Sequence, residues 1–405
     1  MPSPFDRREF LAAGTAALLA GAATESARGF AANDTLRVGC IGTGGRCRGL
    51  MKSLATIPNV AITAVCDVWD TNLAEGKKLA DPKAYATKQY EELLARKDVD
   101  AVLIGSPDHW HVPLTVAACA GGKDVYVEKP LTHDLTEGAA AVEAQNTHKR
   151  VVQVGTQQRS MTHVVAAYDL LKKGTVGTVH KVHCTWNRNA ARAQRFKDGI
   201  DPKTVDWKRF LGTAKDQPFD PYKFRQWRWF WDFGGGIFTD LMVHWIDVVH
   251  WFLDLDHPAT AASAGDFYSA KDVWETPDTV QTVLRYPDRE VQVYFEGTFS
   301  NNRNGSMVEF MGSEGTLYVD RGRYEFIPDR GKAGKPSELV LGTGVKGLDF
   351  YDKPDGEVLH LSNWVEAVRG RKKPSCPAEA GVSAASAAHL ANQSLRTGQV
   401  AVWKG

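Results

Sequence analysis

The sequence of 405 residues predicts an α/β fold in two parts. An N-terminal doubly wound parallel sheet is followed by a C-terminal α+β domain with a largely antiparallel open sheet. Three observations predict it. Up to about residue 160, short apolar strands alternate with helical segments at the pitch of βαβ units. From about His163 the strands take on polar alternation and are joined by turn signals such as Pro287-Asp288 and Ser313-Glu314-Gly315. Several strands of the first half end in Gly, Ser, Asp, Glu or Lys, at the sheet edge where open α/β folds bind ligands.

Residues 1–32 read as a targeting segment. Asp6-Arg7-Arg8-Glu9-Phe10-Leu11 is a twin-arginine pattern, and an Ala/Gly-rich apolar stretch runs from Leu11 to Ala23. This predicts export by the twin-arginine route, with the mature chain in the periplasm.

Residues 33–160 form the predicted first domain. Its strands are Leu36 to Gly42, Asn59 to Cys66, Val99 to Ile104, Lys123 to Val127 and Val151 to Val154. Helical segments Arg48 to Leu54, Leu73 to Leu79, Tyr90 to Arg96, Pro113 to Ala120 and Leu135 to Thr147 lie between them. Pro113 suits a first helical turn, and Gly121-Gly122 ends that helix.

The second domain, residues 161–405, opens with a helix from Val164 to Lys173 and a strand from Thr178 to Trp186. Four more strands follow at Val280 to Tyr286, Glu290 to Phe299, Ser306 to Gly312 and Gly315 to Val319. A Trp-rich stretch up to Asp254 lies between the first strand and the rest and ends in a strong helix. His360 to Arg369 and Val382 to Arg396 are predicted terminal helices.

Composition excludes several classes. Hydrophobic content is 43%, charged content 24% and formal net charge +1, so no global field favours nucleic acid. No apolar run in the mature chain is long enough to span a bilayer. The six cysteines form no Cys-x-x-Cys pair, which argues for buried free thiols and against a metal site.

Three motifs carry chemistry. The first is Gly42-Thr43-Gly44-Gly45-Arg46-Cys47, a strand-to-helix turn. Gly42, Gly44 and Gly45 allow a pyrophosphate to approach backbone N–H groups at a helix N-terminus. Cys47 replaces a third fingerprint glycine. Asp67 closes the next strand, where a carboxylate accepts adenosine ribose hydroxyls and repels a 2′-phosphate. The pattern therefore predicts NAD in preference to NADP, with Arg46 the one residue able to meet a phosphate.

The second motif is Val125-Tyr126-Val127-Glu128-Lys129-Pro130, a buried strand that ends in a charged dipeptide and stops at proline. Ser106-Pro107-Asp108-His109-Trp110-His111 closes the neighbouring strand and predicts a loop over the ribose and nicotinamide. Ser106, Pro107, His111, Glu128 and Gln157 are candidate cofactor contacts. Lys129 is predicted to face both the nicotinamide and a substrate hydroxyl.

The third motif is Gly234-Gly235-Gly236-Ile237-Phe238-Thr239-Asp240-Leu241-Met242-Val243-His244. Asp240 and His244 stand four residues apart and share a helix face. A carboxylate beside an imidazole fixes its tautomer and raises its basicity, which suits a general base. The tryptophans at 186, 207, 227, 229 and 231 are candidates for sugar stacking, although such residues are more often core or interface.

Together the glycine turn, Glu-Lys-Pro and Gly-Gly-Gly-x-x-x-Asp-x-x-x-His strongly resemble the Gfo/Idh/MocA family, the glucose–fructose oxidoreductase and inositol dehydrogenase group. The resemblance covers nearly all the chain after the signal segment. It implies a Rossmann domain, NAD(P), a C-terminal α/β domain, and hydride transfer at a secondary hydroxyl of a sugar, sugar derivative or cyclitol. It also implies that Lys129, Asp240 and His244 are catalytic, that Arg228 approaches the cofactor, and that the protein is a homo-oligomer. An alternative keeps the same residues: a glycoside-cleaving hydrolase or lyase that uses NAD in a transient internal redox cycle.

Overall fold

The computed structural model describes residues 35–195, 199–347 and 356–404. The twin-arginine segment lies outside the described residues.

The first sheet contains β1 (Leu36–Ile41), β2 (Val60–Cys66), β3 (Tyr85–Thr87), β4 (Ala101–Ile104), β5 (Asp124–Val127) and β6 (Val152–Val154). Its order is β3-β2-β1-β4-β5-β6, with every pair parallel. The strand order reverses between β1 and β4, and a crevice opens there beyond the carboxyl ends. β1, β4 and β5 are buried almost throughout, which explains their unbroken apolar runs.

Helices α1 (Gly45–Leu54), α2 (Asp70–Lys77), α3 (Tyr90–Leu94), α4 (His111–Ala120) and α5 (Gly138–Thr147) cover the two faces. On one face Leu50, Met51 and Leu54 of α1 pack with Tyr126 of β5. On the other, Val112, Leu114 and Ala118 of α4 pack with Val125 and Val127.

After α6 (Thr162–Lys172), β7 (Val179–Asn187) enters the second sheet. Two short helices, α7 (Trp207–Leu211) and α8 (Pro221–Arg225), precede a π-helical turn (Phe238–Met242) and α9 (Val243–Leu253). The remaining strands are β8 (Thr260–Asp266), β9 (Thr279–Tyr286), β10 (Val291–Thr298), β11 (Ser306–Gly312), β12 (Gly315–Asp320), β13 (Arg323–Pro328), β14 (Ser337–Val340) and β15 (Ala401–Val402). Their order is β14-β13-β12-β11-β7-β10-β9-β8-β15; only the β7–β10 pair is parallel. One face packs on α9: Phe252 stacks on Phe310 at 4.9 Å between centroids.

β3, β8 and β13 to β15 are strands that the sequence pattern does not predict. β3 and β15 have three and two residues, too short for a period-two pattern. β8 reads Thr-Ala-Ala-Ser-Ala-Gly-Asp, small residues that carry little strand signal. Its apolar partner is the equally Ala-rich face of α11 (Ala378–Thr397).

Before closing in α11 and β15 on the second sheet, the chain returns once to the first domain. Leu361, Trp364 and Val365 of α10 (Gly356–Gly370) pack with Leu50 and Met51 of α1. Burying side chains of this size stabilises by roughly 1.5–3 kcal/mol each. No helix among the described residues is long and apolar enough to cross a membrane. All six cysteines are buried and free, and no group of three metal-capable side chains gathers among the described residues.

Candidate active site

The glycine turn sits at the strand-order reversal. Gly42 has φ +77°, and a Cβ there would lie 2.7 Å from the Ser106 backbone. Only glycine lets the turn seat against the end of β4. Gly44 then precedes α1 and Gly45 opens it. Cys47, in place of the third glycine, faces Gly105: a Cβ on Gly105 would come within 2.7 Å of the Cys47 Cβ. The room that a fingerprint glycine gives on the helix is thus given on the strand.

Gly42, Gly44, Gly45, Arg46, Asp67, Ser106, Pro107 and Arg228 all line one cleft of about 510 Å³. The second domain contributes Phe210, Phe224, Arg225 and Trp227 to its opposite wall. Asp67 accepts a hydrogen bond from the backbone N–H of Trp69 at 2.9 Å. Burial pushes the Asp67 carboxyl up to about 7, against the pull of that N–H. The Ser106 hydroxyl is buried with no hydrogen-bond partner, and the Ser106 backbone adjoins Gly42. A helix N-terminus, a ribose-end carboxylate and a free hydroxyl in one cleft fit an NAD molecule.

Beyond Arg228 lies the corner that the other two motifs build. Lys129 Nζ donates to the Asp240 carbonyl oxygen at 2.8 Å and to Asp240 Oδ1 at 3.0 Å. Arg228 Nε donates to the same Oδ1 at 3.1 Å. Burial opposes charge on Asp240, but Lys129 and Arg228 beside it hold its carboxyl well below the usual carboxylate range. Glu128 turns the other way and accepts from Arg46 Nε at 2.9 Å. Arg46 also pairs with Glu357 at the start of α10.

The expectation that Asp240 orients His244 is corrected. Two cations take the carboxylate, and a neutral imidazole cannot compete with them. His244 Nδ1 instead lies 3.2 Å from Gln158 Oε1. An amide oxygen only accepts, so Nδ1 carries the proton and Nε2 keeps its lone pair. Burial, then Lys129 and Arg321, push the His244 imidazole well below its ordinary value. His244 is thus held neutral with one nitrogen ready to accept a proton. The Trp186 ring lies 5.1 Å from the imidazole.

Two further candidates are placed differently from expectation. His111 does not line the cleft. Its Nδ1 lies 2.6 Å from the Pro130 carbonyl oxygen and its Nε2 2.9 Å from that of Ser106. It sits between the ends of β4 and β5, and, held neutral by burial, donates its single N–H to one of these two carbonyls. Gln157 is buried in the short turn after β6, and Gln158 is the one that reaches His244. Two adjacent glutamines gave no signal to separate them.

The tryptophans divide as follows. Trp229 stacks on Trp274 at 4.2 Å in the core, and Trp207 on Phe210 at 5.0 Å. Trp227 lines the cleft beneath the Arg228 guanidinium, 4.1 Å from the ring centroid. Tyr222 donates its hydroxyl to the Ala193 carbonyl.

Fold and cleft define a dinucleotide-dependent enzyme. Comparison with family models is more specific: the chain belongs to the GFO_IDH_MocA oxidoreductase family. Residues 36–156 match its NAD-binding Rossmann fold and residues 169–402 its C-terminal alpha/beta domain. NAD is therefore its cofactor. Myo-inositol 2-dehydrogenase of Thermotoga maritima is 24% identical over 371 residues, covering 89% of this chain and 96% of the relative. A glycosyl hydrolase family 109 protein of Shewanella pealeana is 29% identical over 199 residues, covering 45% of this chain and 41% of the relative. A levoglucosan dehydrogenase solved with NADH and levoglucosan superposes with a TM-score of 0.71 at 16% identity, covering 91% of this chain and 99% of that one.

Proposed function

We propose that this oxidoreductase removes a hydride from a secondary hydroxyl carbon of a sugar, sugar derivative or cyclitol. The observation that carries it is the Lys129–Asp240–His244 corner, with Arg228 shared between it and the cofactor cleft. Bound NAD supplies the hydride acceptor. His244 takes the hydroxyl proton at Nε2 while Gln158 holds Nδ1–H. Lys129 has three N–H groups. Two are spent on Asp240, and the third is available to the same substrate oxygen. Asp240, anionic throughout, keeps Lys129 aimed. General-base help of this kind is worth ~10²–10⁴-fold. Inositol and levoglucosan dehydrogenases among the similar proteins support a polyhydroxylated substrate.

The glycosyl hydrolase relatives support a second reading, in which the same hydride transfer is transient and precedes cleavage of a glycoside. Purification without added cofactor, followed by a panel of cyclitols, sugars and glycosides, separates the two. Net NADH from a polyol selects the dehydrogenase; glycoside consumption without net NADH selects the internal cycle. If no compound of either class is consumed, both readings fail.

The Arg7-Arg8 pattern and its apolar stretch support export of a mature chain that begins after about residue 32. A periplasmic fraction lacking the processed protein would refute this. The second sheet leaves Val283 and Ile327 exposed, which supports self-association through that domain. A monomer by light scattering at micromolar concentration would refute that.

A further inference from the structure

The cleft has a wall that the Rossmann domain does not supply. The segment from Thr204 to Arg228 leaves the second domain, crosses the mouth of the cleft and is fastened to the first domain at several points. At one edge Trp69 Nε1 donates to Thr204 Oγ1 at 3.2 Å, and Lys88 Nζ to the Thr204 carbonyl at 3.2 Å. Trp69 and Val205 form an isolated antiparallel bridge, and Asp206 N–H donates to the Val68 carbonyl at 2.8 Å. Each of these contacts lies within three residues of Asp67 or on the adjoining β3–α3 loop.

In the middle, Arg209 Nη1 meets Glu91 at 3.1 Å and Nη2 meets Gln89 at 3.1 Å. At the β4 end, the Phe210 carbonyl takes Trp110 Nε1–H and His109 Nε2–H, both at 2.8 Å. Gly212 has φ +56°, and a Cβ there would stand 2.5 Å from the Trp110 ring. The segment and Trp110 touch as closely as glycine permits. Phe210, Phe224 and Trp207 cluster behind the segment and stiffen it.

We infer that residues Thr204 to Arg228 form a strap that encloses the adenosine half of NAD and keeps it bound through successive turnovers. This rests on the NAD-dependent reading above. An adenosine seated on Asp67 has Rossmann residues on one side and Phe210, Phe224 and Arg225 on the other. Departure requires the strap to detach from Trp69, Glu91 and Trp110 together. The same segment ends in Arg228, which reaches Asp240, so a detached strap also removes a cation from the catalytic corner.

The test is the rate at which bound NADH leaves. Enzyme loaded with NADH is mixed with excess NAD, and energy transfer from the cleft tryptophans to NADH is followed in time. The wild-type chain is expected to exchange with a half-life of minutes or longer. Gly212→Val, which wedges the strap off Trp110, and Arg209→Gln, which removes the guanidinium contacts to Glu91 and Gln89, are each expected to exchange at least ~10-fold faster. Circular dichroism confirms that each variant is folded, and Arg209→Gln keeps the test informative if Gly212→Val is not. Wild-type exchange complete within a second, or a folded Arg209→Gln at the wild-type rate, overturns the strap and leaves the NAD reading intact. A wild-type chain that takes up no NADH overturns both.

Discussion

Lys129 donates to both the carbonyl oxygen and the Oδ1 of Asp240, at 2.8 and 3.0 Å, and so joins the end of β5 to the π-helical turn of the second domain. Both side chains are largely buried. Removing one member of such a pair leaves a buried charge uncompensated, at a cost of about 3–5 kcal/mol. Asp240→Asn is therefore expected to lower the unfolding free energy by that amount and to depress turnover as Lys129 loses its aim. Urea unfolding checks the first effect. A loss under ~1 kcal/mol would show that the pair is not a structural link.

His244 makes a prediction about pH. Burial and Lys129 lower its pKa, so the imidazole stays unprotonated as pH falls through the ordinary histidine value of about 6.5. A base works only when unprotonated. Turnover at saturating NAD should therefore persist below pH 6.5, with its acidic limb displaced downward. A limb centred at or above 6.5 would contradict the neutral, buried base.

Asp67 is shifted the other way, which moves the pH dependence of cofactor affinity up towards neutrality. Its carboxyl is raised to about 7 by burial, so a large fraction is protonated below neutrality. Ribose hydroxyls donate to the carboxylate form, so NAD binding releases protons. Affinity should rise between pH 6 and 8, by up to ~10-fold for one unit of linked shift. Calorimetry in buffers of different ionisation heat measures the release. Asp67→Asn should bind weakly and without this pH dependence; an unchanged pH dependence in that variant would remove Asp67 from the ribose site.

Cys47 and Gly105 predict a coupled pair. Gly105→Ala places a methyl 2.7 Å from the Cys47 Cβ and should destabilise by about 1–3 kcal/mol. Adding Cys47→Gly relieves the clash, so the double variant should be more stable than the sum of the single effects predicts. Additive losses in guanidinium unfolding would mean that the two do not share the space.

Much of this was legible because the first domain is built from local signals. Gly42, Asp67, Ser106 and Lys129 stand at strand ends, and apolar runs mark strand ends well. The β3-β2-β1-β4 order then brings those ends together without further information. Relations between distant segments were less legible. Nothing in a four-residue spacing says that Asp240 will meet Lys129 and Arg228 before His244, because that choice depends on where two other chain segments arrive. Gln158 was missed beside Gln157 because only orientation distinguishes them. His109 and Trp110 gave a loop signal, but their common partner, the Phe210 carbonyl, lies about a hundred residues away. The Cys47 substitution could be seen in the sequence, whereas Gly105, which makes room for it, could be recognised only across the β1–β4 junction.

Hydride transfer assisted by His244 is tested by rapid mixing of NAD-loaded enzyme with a panel of polyols, read in the reduced-nicotinamide absorbance band. Wild type and His244→Ala are compared after NAD occupancy has been matched. The band should rise in the wild type with at least one polyol, and with this compound His244→Ala should be slower by at least ~10²-fold. A His244→Ala enzyme that reduces its NAD at the wild-type rate would contradict it.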